Sequence, residues 1–421
     1  MEIIPYFFRR YNPLLILFFL LTINFNSYAQ DAPPAVPVIK LSGYVKSDVF
    51  YDSRQTICAR EGHFLLFPAA PSIDEGGRDL NDRPGFNILP IQSNLSVSVN
   101  GPTTLGAAVS AVIEGDFFGQ SNSDVNMLRL RHAFVKLQWD KTQLLVGQYW
   151  HPMFATSCYP GTISFNTGSP ISPFSRAPQI RISRNFGIIT VSGALLSQRD
   201  YVSVGPEGPS SKYIRDTGLP EFTFSAELNS KNKRFTAGSV AGYKWLTPQT
   251  KTGANYKTDE KVGGFSANAY IKYVNDFMTI KLEGVYLENA SELMSISGFA
   301  VKDTLDETTG LVNYAPVRTV SYWGDLQSNG KLFQAGLFSG YSQNMGTRSA
   351  VSGPFYLMAG LPVKSLYRVS PRFAVKPGNL TLAVEIEFTS ALYGSPDDHG
   401  VMINTARVNN TRILLSAIYK F

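Results

Sequence analysis

Charged side chains recur at even spacings inside apolar runs of this 421-residue chain: Lys46 and Asp48, Glu114 and Asp116, Lys281 and Glu283, Arg368 and Arg372, Glu385 and Glu387. In an extended strand, positions two apart share a face. Each pair therefore lies on one side of its strand, opposite apolar neighbours. Arg181, Lys244 and Lys272 fall on the same kind of polar face. Charges ringed around a water-filled passage select ions, and guanidinium grips a carboxylate with two donors. An excess of arginine near Arg176, Arg181, Arg368 and Arg372 favours anions. Charges of both signs on facing walls would orient dipolar solutes.

Enzymatic chemistry has little to stand on. The four histidines are His63, His132, His151 and His399, and no two have metal-ligand spacing. A barrel-borne Ser/His hydrolase would need a strand histidine, and His132 has no serine beside it that suits the role. No Gly-rich phosphate loop occurs. No catalytic site, metal or cofactor is expected. The net charge of +6 is spread singly, without a Lys/Arg run, so no nucleic-acid partner is expected either. Cys58 and Cys158 are the two cysteines. Export permits a disulfide between them, and two unpaired thiols are equally compatible with the sequence.

The elements that hold these charges are strands. Charged residues are only 17%, aromatics are 13%, and mean hydropathy is −0.05. Polar and apolar groups are thus finely mixed, and their period is two. In "NLTLAVEIEFTS", Leu380, Leu382, Val384, Ile386 and Phe388 oppose Thr381, Glu385, Glu387 and Thr389. The pattern predicts strands at about 40–52, 86–99, 104–118, 127–138, 142–150, 177–183, 186–198, 220–228, 234–245, 261–274, 277–289, 318–326, 332–344, 363–375, 380–393 and 409–421. Short polar turns, such as "NGPT" at 100–103 and "KPGN" at 376–379, alternate with long loops, such as 53–85, 151–176, 290–317 and 394–408. An even count of sixteen, with short turns at one end and long loops at the other, is the layout of an outer-membrane barrel.

The chain begins with a positive pair, Arg9 and Arg10, then the apolar run "PLLILFFLLTI" and the small residues of "SYA". That pattern predicts a signal peptide over 1–29, a short periplasmic lead over 30–38 and a barrel over 39–421. The chain ends in "RILLSAIYKF", whose Ile413, Leu415, Ala417, Tyr419 and Phe421 share one face. Lipid would cover that face, and the first strand would pair with its edge. Tyr419 and Phe421 suit the turn-side aromatic girdle, with Trp139. They also read as a C-terminal signal for the barrel-assembly machinery. Arg129 and Arg131 share parity with Ala133, Val135 and Leu137, which turns both toward lipid. Charge at mid-depth there costs roughly 2–4 kcal/mol. A bulge that switches parity is the alternative, as is a reach to lipopolysaccharide phosphates or a neighbouring subunit.

"EGDFFG" at 114–119, "RLRHAFVKL" at 129–137, "LLVGQYW" at 144–150 and "FNTGSPISPFSRAPQIRIS" at 165–183 follow one another closely. Together they resemble the DcaP-like porins of Gram-negative outer membranes. The "SYAQ" cleavage site and the loop style resemble a Bacteroidetes member. The resemblance implies a sixteen-stranded porin, a homotrimer in outer-membrane lipid and lipopolysaccharide, passing small and often anionic solutes. Family members can carry a periplasmic coiled coil where this chain has the Pro-rich "QDAPPAVPVI". The resemblance also favours an inward fold for the loop 151–176, as a constriction, over an external loop. A plugged barrel with an adhesive or structural role is the alternative from another class.

Overall fold

The computed structural model describes residues 37–421, so the expected signal peptide and most of the expected lead lie outside the described residues. Sixteen strands form the wall. The first eight are β1 (Val38–Asp52), β2 (Gly85–Leu89 and Asn94–Thr104), β3 (Ala107–Asp116), β4 (Arg129–Gln138), β5 (Thr142–Trp150), β6 (Arg176–Asn185), β7 (Ile189–Leu196) and β8 (Glu221–Asn229). The second eight are β9 (Phe235–Leu246), β10 (Val262–Val274), β11 (Met278–Glu288), β12 (Leu311–Ser328), β13 (Phe333–Gly346), β14 (Val363–Val375), β15 (Leu380–Pro396) and β16 (Met402–Lys420). Each pairs antiparallel with its sequence neighbours. β1 pairs with β16 from Tyr44↔Lys420 to Asp52↔Arg412, so the sheet closes on itself. Gly43 and Phe421 exchange backbone hydrogen bonds of 3.0 and 3.1 Å, which carries the seam to the last residue. The all-β, sixteen-stranded antiparallel barrel expected from the period-two pattern is the fold.

Alternation fixes which face looks where. On β16, Leu415 is 52% exposed on the outside, whereas Leu414 is 2% exposed inside with Arg412 and Ser416. Leu326, Leu337 and Phe373 are outward on other strands. At the turn end, Phe186, Phe277, Phe333, Tyr419 and Phe421 project outward. The Trp139 indole N–H donates to Leu105 O at 3.0 Å in the adjacent turn. Amphipathic and aromatic rings are most stable at that depth, between hydrocarbon and headgroup.

Four boundaries differ from the pattern. The turn expected at 100–103 is centred four residues later, at Leu105 and Gly106, both with positive φ (54° and 70°). A two-residue hairpin turn needs that left-handed conformation at both central positions. Asn100–Thr103 instead forms an irregularity in the β2–β3 ladder. β2 is broken at Pro90, which has no N–H for the ladder, and the Ser93 hydroxyl accepts from Lys46 N at 3.0 Å across the gap. β15 and β16 extend to Pro396↔Met402, through sequence expected as loop. β12 starts at Leu311 and pairs with Gly298–Asp306 in a second arm. The β16 extension carries polar residues on both faces and the β12 extension, Leu311–Val317, apolar ones on both, so hydrophobic alternation alone does not reveal them.

Leu415→Arg should lower the unfolding free energy in lipid vesicles by about 2–4 kcal/mol if this face meets hydrocarbon near mid-depth. The readout is a urea titration followed by the mobility of unboiled samples on a gel. An unchanged midpoint would mean that lipid does not cover this face.

Candidate pore constriction

The loop between β5 and β6, residues 151–175, contains a short turn-rich path and no regular ladder. Its backbone groups nevertheless need partners. Inward side chains of the wall supply them. Asn268 Nδ2 on β10 donates to Met153 O at 3.0 Å, and Lys272 Nζ donates to Ser157 O at 2.6 Å. Lys281 Nζ on β11 donates to Tyr159 O at 2.9 Å. Gly161 N donates to Asp325 Oδ2 on β12 at 3.2 Å. A Cβ at Gly161 would come within 2.6 Å of the Arg372 guanidinium, so a larger residue there would have to displace the Arg372 and Gln327 side-chain ends. Glu385 Oε2 on β15 accepts from Ile163 N and, at 3.3 Å, from Ser164 N. Lys46 Nζ on β1 donates to Ile163 O at 2.7 Å. Asn166 Nδ2 donates to Glu387 Oε1 at 2.7 Å. Arg368 Nη1 on β14 donates to Ser169 O at 2.8 Å.

The sequence-derived charges therefore divide by what they touch. Lys46, Lys281, Arg368, Glu385 and Glu387 hold the loop, with Lys46 also 3.2 Å from Asp48. Arg372 is tied bidentately to Asp325 at 2.8 and 3.0 Å. Glu283 accepts from Trp323 Nε1 at 2.6 Å and Asn268 Nδ2 at 2.7 Å. Glu114 and Asp116 meet Arg131 and Arg129. Asn268 and Asp325 on the wall complete the set and carry no sequence signal beyond their parity, and Asn166 answers Glu387 from within the loop.

Arg129 and Arg131 are not outward. The β3–β4 ladder slips between Glu114↔His132 and Gly115↔Leu130, leaving Arg131 as an extra residue. This bulge switches parity above His132. Leu128 and Leu130 go outside. Arg129 binds Asp116 through Nε (3.1 Å) and Nη2 (2.9 Å), and Arg131 binds Glu114 (2.7 Å) and Asp116 (2.8 Å). The lipid penalty is avoided by one inserted residue.

A second loop enters the lumen, and the sequence pattern left it among the long external loops. Within residues 53–84, Thr56–Ala59 pairs with Phe64–Pro68. Phe64, Leu65 and Phe67 are fully buried. Phe64 packs on Phe165 and Phe174 with ring centroids 5.3 and 5.4 Å apart. The available signal was "FLLF" at 64–67, four consecutive apolar residues in an otherwise polar loop. His63 stands between Phe50, Phe118 and Phe165. Burial pushes its imidazole below the usual value. The uncharged ring donates Nε2–H to Asp48 Oδ2 at 2.7 Å.

Between these loops and β4–β6 lies a cavity of about 380 Å³ lined by Gln92, Arg131, Tyr149, Trp150, Tyr159 and Arg176, among others. The Arg176 guanidinium lies 4.0 Å above the Trp150 ring. Its Nη1 binds Asp200 at 2.9 Å, while Nε and Nη2 make no hydrogen bond among the described residues. Arg181 Nη2 donates to Trp150 O at 2.7 Å. The charged residues of its lining are two arginines, Arg131 and Arg176.

Cys58 and Cys158 are free thiols. The disulfide reading is thereby set aside. Cys58 pairs in register with Leu65 inside the 53–84 loop. Cys158 packs with Trp323 and Phe338 and donates to Ile271 O at 3.3 Å. Burial pushes its thiol up to about 12, so it stays protonated and unreactive.

Solved structures share this architecture. The chain is similar to the outer membrane channel DcaP of Acinetobacter baumannii, with 17% identity, a TM-score of 0.70, and coverage of 91% of this chain and 97% of that one. It is also similar to the trimer form of OmpT of Vibrio cholerae (8% identity, TM-score 0.56, 92% and 100% covered). An anion-selective porin from Comamonas acidovorans is a third (9% identity, TM-score 0.54, 92% and 100% covered). No protein-family model and no curated protein matches the chain in sequence. At such identities the likeness is one of fold, and the fold is that of the outer-membrane porins, as the resemblance of residues 114–183 implied.

Glu385→Ala should free two loop N–H groups, each bonded to a charged acceptor and so worth about 1.5–3 kcal/mol. The expected result is larger, noisier single-channel current from a barrel with unchanged gel mobility. Current identical to that of the unaltered protein would show that this carboxylate does not hold the loop.

Proposed function

We propose that this chain is an outer-membrane porin that lets small hydrophilic solutes diffuse passively, with a weak preference for anions. The observation that carries the reading is the division of surfaces. The outside is an apolar band with a turn-side aromatic girdle, and the inside is charged and narrowed by a loop pinned to the wall. A sixteen-stranded barrel is wide enough for an aqueous path. The surplus of guanidinium around the cavity at Arg131 and Arg176 supports the anion preference. Arg368 and Arg372, expected to share that role, are engaged with the loops and with Asp325, which moves the preference to the β4–β6 side.

Residues 1–29 direct export, and residues 30–38 lead into the wall. Tyr419 and Phe421 present the last strand to the assembly machinery. Three copies associate within lipid and lipopolysaccharide. The chain acts as a channel and not as an enzyme. One observation favours a second reading: the buried aromatic contacts between the two inserted loops would also suit a plugged barrel with an adhesive or structural role.

Purified protein in a planar bilayer should give steady ohmic steps, and a gradient of KCl should give a reversal potential on the anion side. Combining Arg131→Gln with Arg176→Gln should move that potential toward zero without abolishing the steps. Cation selectivity in the unaltered protein would reject the arginine assignment. Silence from heat-modifiable protein would favour the plugged barrel.

A further inference from the structure

Arg368 is among the fully buried large side chains of the molecule. Its three nitrogens reach three different segments. Nε donates to Thr389 Oγ1 of β15 at 2.9 Å. Nη1 donates to Ser169 O of the 151–175 loop at 2.8 Å, and Nη2 to Leu66 O of the 53–84 loop at 2.6 Å. Glu387 lies 3.7 Å away, balances the charge and takes Asn166 of the same 151–175 loop. A guanidinium is a planar fork of fixed donors, so one residue sets the two loops at a defined separation.

The 53–84 loop has further anchors of its own. Arg412, paired with Asp52 at 2.5 and 3.0 Å, donates to Gly62 O at 2.7 Å. Tyr393 Oη donates to Pro68 O at 2.8 Å. Arg60 Nε donates to Phe118 O at 3.2 Å. The hairpin is thereby held beneath the arc of wall from β14 to the end of β3. Its apolar side meets the 151–175 loop through Phe64, Phe165 and Phe174.

The geometry points to the 53–84 loop as a second pore-narrowing segment, and to Arg368 as the positioning residue that locks it to the 151–175 loop. This rests on the channel reading above and adds to it: the opening is set by two loops in register, not by one. A lysine at 368 has a single nitrogen on a flexible stem and would hold one loop at a time. With one loop released, the two loops are tied to each other through aromatic contact, and each keeps its own anchors on the wall.

The test is single-channel recording in planar bilayers on five proteins: the unaltered chain, Arg368→Lys, Arg368→Ala, a chain with residues 57–67 replaced by a short Gly/Ser linker, and that linker chain carrying Arg368→Ala. The linker variant keeps every wall residue, so it reports even if Arg368→Ala fails to assemble. Gel mobility of unboiled samples checks folding in each case. The linker variant should conduct several-fold more than the unaltered chain and should admit larger sugars in liposome swelling. Arg368→Ala should flicker between levels, and Arg368→Lys should fall between it and the unaltered chain. Arg368→Ala placed in the linker background should add less than it does alone, because one of its two loops is gone. If the unaltered chain conducts and the linker variant has the same conductance and size limit, the proposal is overturned while the porin reading stands. If the unaltered chain is silent and the linker variant conducts, the 53–84 loop is the closing element and passive diffusion is the reading that falls. If all five fold and all are silent, both fall.

Discussion

The structure depends on one requirement: irregular backbone inside the barrel must find hydrogen bonds away from any ladder. Bulk water could satisfy a wide, empty lumen. It cannot satisfy a chain segment pressed against the wall with Phe154, Phe165 and Phe174 around it. Charged side chains on alternate wall positions meet this need, because a bond to an ionised group is stronger than a neutral one. Lys46, Lys272 and Lys281 serve carbonyls, and Glu385 and Asp325 serve amides. The wall's charges are thus the secondary-structure partners that the loop lacks. This explains why a barrel interior that need only be hydrophilic carries so many ions.

The same requirement explains the bulge at Arg131. Without it, β4 would send two guanidiniums into hydrocarbon and leave Asp116 buried without a counter-charge. One inserted residue reverses both penalties. Asp116 instead receives three guanidinium N–H groups, two from Arg129 and one from Arg131. Leu128 and Leu130 move to the lipid side in exchange. Such an insertion changes the face of every residue beyond it, and the ladder resumes at Gly115↔Leu130.

Much of this architecture was legible from the period-two pattern. Leu380–Phe388 and Ile413–Phe421 reveal both the strands and their outward faces, because an apolar outer face and a polar inner one impose strict alternation. The parity of Lys46, Glu385 and Arg368 follows from the same rule. The bulge was not readable, since "MLRLRHAFVKLQW" alternates acceptably in either frame and only the neighbouring carboxylates decide. The arms of β12 and β16 were missed because neither alternates: Leu311–Val317 carries apolar residues on both faces, and Met402–Val408 carries polar ones on both. The 53–84 loop was missed for a different reason. Its "FLLF" run is short, and what buries it is a surface 98 to 110 residues further along the chain, at Phe165 and Phe174. The free thiols Cys58 and Cys158 lie in separate packing environments that no spacing argument could separate.

Pairing also decides where a field can survive in the lumen. On the β11–β15 arc the charges cancel locally: Arg372 against Asp325, Arg368 against Glu387. Opposite charges held within about 4 Å present a short-ranged dipole, and an ion some Debye lengths away feels little of it. The β4–β6 arc differs. Arg176 shares Asp200 with Arg129, and Asp116 is shared by Arg129 and Arg131. Arg131 also pairs with Glu114, so these three guanidiniums meet three carboxylates, and the surplus is Arg181, which has no ion pair among the described residues. Arg176 keeps two nitrogens free of protein partners, and the aromatic faces of Trp150 and Tyr149 stabilise Arg176 and Arg181 without neutralising them. A pore can therefore be dense in ions and yet owe its selectivity to a few that share or lack carboxylate partners. The others, spent on holding loops, set how wide the path is.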